Sequence, residues 1–391
     1  MRPSHAPRDI FSVIPAQPPD LPPSRLWSLD ALRGMCAAIV FFSHWHLWAH
    51  FTPVGTAERF FHAFGDVAHD AFTYLAWPTG GHHPAVLGFF VLSGFCIHYP
   101  FERRARSGGS VSDWRAYFHR RFLRIVPVYW AACALGFVFV AAQIYYPAPS
   151  PLLALHAASS TEDILIRVTG LAGIYPREIF AGNYILTTVT VEIFMYALYP
   201  LIHRSALRGQ WRGLALAFVA LHLFAIYLLR WFSPYWVFNS IFMFGVFWFA
   251  GAYAAHLHLA RRNRVRAGWF IAAWLLFLAV KSLPSFYGLN LLKQAAWASV
   301  CVLGILWAVR WEEKHPALAA RRSVAALRWL GDISYSLYAM HTPAIMLATW
   351  ALLHLGLQSY PLQLAATMAA SLIAVLGTHY ALERRFYRRT T

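Results

Sequence analysis

Three ionisable residues stand where hydrocarbon surroundings make them expensive: His44, Glu192 and His341, each inside a long apolar stretch. On insertion scales such a group costs roughly 2.5–3.5 kcal/mol, so each is a functional candidate by default. At 1.5 Å per helical residue, His44 lies about 16 Å beyond Arg33, Glu192 about 18 Å before Arg204, and His341 about 13–14 Å beyond Asp332. The three depths agree to within roughly 5 Å before tilt, which points to one polar level. Imidazole titrates near neutral pH and can accept and return a hydroxyl proton. Each residue also has a plain structural reading. With 19 histidines in the chain, His44 taken alone reads first as a satisfied packing residue. His341 precedes Thr342-Pro343, where an imidazole could satisfy a carbonyl that proline frees. Glu192 resists that treatment, because a buried carboxylate needs a partner or a raised pKa.

Arg121 and Arg124 are one helical turn apart, so their guanidinium forks share a face and suit a phosphate-bearing ligand. Membrane anchoring with snorkelling stems is the equal alternative. Asp30 and Arg33 are also three apart and placed to pair. His46 with His50, and His256 with His258, bring no third ligand, so no metal site is expected. The four cysteines fall in apolar stretches without ligand spacing. Neither a Gly-rich phosphate loop nor a nucleophile elbow is present.

These residues are carried on a chain of 391 residues that is 59% apolar and 13% charged, with a mean hydropathy of +0.47. Soluble domains carry about 25% charged residues, so the composition predicts an all-α, polytopic membrane protein. Ten stretches reach spanning length: 30–50, 85–101, 121–145, 184–203, 212–232, 236–258, 266–283, 291–311, 333–356 and 362–382. Interrupted periodicity over 161–181 predicts an interfacial or re-entrant piece. The net charge of +17 does not call for nucleic acid, because 27 of the 33 Lys and Arg fall in loops and tails on one side. That split puts both termini in the cytoplasm and the long loops 52–84 and 146–183 outside. Residues 1–28 form a polar tail without the apolar core of a signal peptide, and 29–387 form one transmembrane domain with no separate soluble domain.

A resemblance gathers these residues. Leu29-Asp30-Ala31-Leu32-Arg33-Gly34 leading to His44 is similar to the first helix of the acyltransferase 3 family of bacterial membrane O-acyltransferases. Phe89-Phe90-Val91-Leu92-Ser93-Gly94-Phe95 resembles its second-helix signature. Arg120-Arg121-Phe122-Leu123-Arg124-Ile125-Val126-Pro127 resembles its third. Gly331-Asp332-Ile333-Ser334-Tyr335-Ser336-Leu337-Tyr338, with His341 and Pro343, resembles its penultimate one. The matches are collinear from about residue 26 to 386. Thr187-Thr188-Val189 stand where the family usually has Trp-Ser-Leu, and Tyr196 keeps its place after the glutamate.

The resemblance implies transfer of an acyl group, commonly acetyl, from acyl-CoA to a hydroxyl of a glycan or related envelope acceptor. The implied location is a bacterial inner membrane, and acyl-CoA is a substrate rather than a bound cofactor. His44 is then expected to act as base or covalent acyl carrier, with Glu192 and His341 orienting or tuning it. Arg33, Arg121, Arg124 and Ser93 would form the donor site. The competing reading is a transporter or flippase with an intramembrane proton relay.

Overall fold

The computed structural model describes residues 26–49, 83–109, 113–175, 178–227, 240–260, 262–283, 287–357 and 359–387. These residues are helical with short connections, and no strand occurs among them. The helices are α1 (Trp27–Ala49), α2 (Pro84–Arg106), α3 (Trp114–Tyr145), α4 (Pro151–Ala157), α5 (Thr161–Thr169), α6 (Leu186–Leu207) and α7 (Trp211–Tyr227). There follow α8 (Ile241–Leu259), α9 (Ala267–Lys281), α10 (Tyr287–Lys314), α11 (Arg322–Asp332), α12 (Ser334–His354), α13 (Tyr360–Thr378) and α14 (Arg384–Tyr387). A π-helical turn, His379–Glu383, joins the last two.

Each of the ten expected stretches contains a helix within its described part, although 184–185, 282–283 and 355–356 lie in turns at the helix ends. Six helices among the described residues are long and apolar enough to cross a membrane: α2, α3, α6, α8, the greater part of α10, and α13 with its continuation. The difference from ten has a physical cause. α7 and α9 are apolar but short, while α1 and α12 are diluted by the polar residues that drew attention to them. The segment 161–181 is not one helix. Ser160 and Asp163 form a reciprocal capping box that starts α5, and left-handed Gly170 (φ 74°) ends it. The loop beyond α5 then folds over Ile166, Ala172, Ile179 and Ala181 to pack against Phe137 of α3. The aromatic loop 52–84 lies outside the described residues, save its last two.

Two close approaches fix the frame. A Cβ on Gly94 would stand 1.8 Å from the Trp248 carbonyl oxygen, and one on Gly251 1.8 Å from that of Val91. α2 and α8 therefore touch backbone to backbone, as small residues permit in helix pairs that lack a hydrophobic driving force. At one end of the bundle, a Cβ on Gly331 would lie 2.2 Å from the Asp30 carbonyl oxygen, which seats α11 against the start of α1.

Prolines inside helices free carbonyls four residues back, and neighbouring elements fill two of them. Pro200 frees the carbonyl of Tyr196, which accepts from the Tyr117 hydroxyl at 3.2 Å. Pro343 frees that of Ala339, which accepts from the Asn183 amide at 3.0 Å. The carbonyl freed beside His341 is thus taken by Asn183, and the imidazole serves a different partner.

Candidate active site

A cavity of about 810 Å³, counting the space at its open mouth, lies among α1, α2, α3, α6 and α12. Arg33, Arg121 and Arg124 all line it, so the shared face read from the Arg spacing points inward. Arg33 donates to the Gly331 carbonyl at 2.8 Å and stands 3.8 Å from Asp30. Arg121 lies over the rings of Tyr117 and Tyr196, at 5.7 and 5.5 Å. That arrangement favours a cation through the ring quadrupoles. A three-arginine wall suits a polyanion.

Ser93 and Glu192 meet on the wall of the same cavity, the serine hydroxyl donating to the carboxylate at 2.8 Å. The Tyr196 hydroxyl, one turn along α6, donates to the same oxygen. At another part of the wall Thr188 and Tyr338 join α6 to α12 through their hydroxyls, 2.5 Å apart. Phe89 packs edge-on against Tyr338, with ring centroids 5.6 Å apart.

His341 lies next to Tyr338, ring centroids 6.3 Å apart, and forms a pair with His44. Nδ1 of His44 and Nε2 of His341 are 2.8 Å apart, and the rings stack at 5.1 Å. Nδ1 of His341 lies 2.8 Å from the Leu337 carbonyl. Nε2 of His44 is 3.0 Å from the Tyr184 hydroxyl, and its ring lies 6.3 Å from that of His83. Of the two groups expected to orient His44, His341 touches it, whereas the bonds of Glu192 run to Ser93 and Tyr196. Sequence reasoning had not singled out Tyr184, Thr188 or Tyr338 for the site. Tyr338 closes the Gly331–Tyr338 motif, which could have marked it, whereas Tyr184 carries no charge and stands in no motif.

Beyond the pair, α4 and the loop to α6 close over Tyr184. His156 lies 4.9 Å ring to ring from Tyr184, and burial pulls its imidazole down to about 4. Arg167 is fully buried there; it donates to Thr187 at 3.2 Å and to the Ile179 carbonyl, and its own carbonyl accepts from Tyr129. Among the described residues no group of three His, Cys, Asp or Glu is placed to hold a metal ion.

A helical bundle with several membrane-length helices, enclosing an arginine-walled cavity and a histidine pair, defines a multi-pass membrane protein. The acyltransferase domain family matches residues 26–380, nearly the whole chain. The chain belongs to this family, acyltransferase 3, and the protein is an acyltransferase of the membrane. No curated protein and no solved structure matches it.

Proposed function

We propose that the protein moves an acyl group, most simply acetyl, from acyl-CoA to a hydroxyl of a glycan or related envelope acceptor, in the inner membrane of a bacterium. The observation that carries this reading is the cavity walled by Arg33, Arg121 and Arg124 and lined also by Tyr338, whose ring lies 6.3 Å from that of His341. Acyl-CoA has this polarity: phosphates at one end, a narrow thioester arm at the other. The arginines hold the phosphates, and Ser93 and Glu192 line the passage of the arm. With both termini cytoplasmic, the arginine end faces the compartment that supplies acyl-CoA.

Nε2 of His44 takes the proton of the acceptor hydroxyl as its oxygen attacks the thioester carbon. The C–S bond then breaks, and the departing CoA sulfur takes the proton from Nε2. His341 accepts the Nδ1–H of His44 throughout and steadies the imidazolium, the part a carboxylate plays in hydrolase triads.

Purified protein in lipid vesicles, given labelled acetyl-CoA and envelope glycans, should release CoA and put label on glycan hydroxyls. Label that never leaves acetyl-CoA under any acceptor tested would overturn the donor assignment.

A further inference from the structure

The hydrogen bonds around His44 have only one consistent direction, and it begins at a backbone carbonyl. The Leu337 carbonyl can only accept, so Nδ1 of His341, 2.8 Å away, carries the hydrogen. With the rings neutral, Nε2 of His341 then has a lone pair, and Nδ1–H of His44 donates to it at 2.8 Å. That leaves the lone pair of His44 on Nε2, where the Tyr184 hydroxyl donates at 3.0 Å. Four groups from α12, α1 and the turn before α6 are thereby aligned in one sense.

Tyr184 is firmly held. Its neighbour Asn183 is fully buried and tied to the carbonyl that Pro343 frees, at 3.0 Å. Gly182 (φ 72°) presses so closely on Gly136 that a Cβ would lie 2.1 Å from its carbonyl oxygen. The tyrosine ring packs near His156 and Phe180, at 4.9 and 6.3 Å.

We propose that Tyr184 is a positioning residue for acyl transfer: its hydroxyl on Nε2 holds the His44 ring with that nitrogen presented for reaction, until the acceptor hydroxyl replaces it. The inference rests on the reading of His44 as the proton-accepting group. Without the tyrosine hydroxyl the His341 bond alone fixes the ring plane, and Nε2 loses its resting partner. Because the bond is exchanged and not consumed, no proton is stranded: Tyr184 keeps its own, and the acceptor's goes to Nε2.

The test uses membrane vesicles from cells expressing the full chain, with labelled acetyl-CoA as probe and transfer to the membranes' own glycans as readout. Tyr184→Phe keeps the ring packing and removes only the hydroxyl. We expect kcat to fall about 10²-fold, the low end for groups that manage a proton, with KM for acetyl-CoA unchanged. In the His44→Ala background the same change should cost nothing further. In ¹⁵N-histidine-labelled protein without acceptor, the Nε2 signal of His44 should shift on Tyr184→Phe. A normal kcat or an unmoved Nε2 signal in Tyr184→Phe, with His44→Ala inactive, overturns the role of Tyr184 and leaves His44 standing. An active His44→Ala enzyme overturns the reading beneath it instead.

Discussion

His44 and His341 are 297 residues apart in sequence, yet their ring nitrogens meet at 2.8 Å, with the two planes 14° from parallel. Such a pair acts as a unit, so removing either member is expected to cost nearly what removing both does. His44→Ala should lower glycan labelling by about 10²–10⁴-fold, the usual general acid–base contribution. His341→Ala should come close to it, and the double variant should add little. Turnover at matched levels of folded protein in detergent checks this; independent, multiplying losses would show that the two do not work together.

The arginine wall makes a different demand. Arg121→Ala and Arg124→Ala should each raise KM for acetyl-CoA and leave chemistry at saturation nearly intact. Lysine should restore binding only in part, since it lacks the planar fork. If the double alanine variant keeps its KM, both arginines serve as membrane anchors only.

Glu312 of α10 reaches the first turn of α1, accepting from the backbone N–H groups of Trp27 and Ser28, both at 2.9 Å, and from the Ser28 hydroxyl at 2.6 Å. It thereby satisfies two of the backbone donors that the first turn of a helix leaves without an intrahelical partner. Glu312→Ala should cost about 2 kcal/mol, in the range for hydrogen bonds to a charged group. Thermal unfolding in detergent should show it, with Glu312→Gln retaining part of the stability.

Orientation can be read with thiol chemistry. In a cysteine-free background, Thr161→Cys at the exposed start of α5 should react with an impermeant reagent added to intact cells. Arg104→Cys, exposed near the end of α2, should react only after lysis. The reverse pattern would turn the protein over and put the arginine wall outside.

Much of the site was legible because its signals are either local or costly. The Arg121–Arg124 spacing is set by helix geometry, and both line one cavity. His44 and His341 were marked by the expense of an imidazole at mid-membrane, and equal depth brought them together. Glu192 carried the same signal, but depth gives no azimuth around the bundle, and its partners proved to be Ser93 and Tyr196. Tyr184, Asn183 and Glu312 were silent for a related reason. Each acts through a partner more than 130 residues away, and only the packed helices create that proximity. The prolines hinted at freed carbonyls, though not at which side chains would fill them.

The contact of Gly94 and Gly251 has a mechanical meaning. Where two backbones touch, there is no side-chain layer to shear or compress, so α2 and α8 form one stiff unit at that contact. Ser93 and Phe89 belong to that unit, and it forms one wall of the cavity. The rest of the lining, Arg121, Glu192 and Tyr338 among it, stands on α3, α6 and α12. Of the helices that line the cavity, α2 is thus the one clamped at its back, its Gly94 set against the α8 backbone as tightly as Gly251 is set against its own.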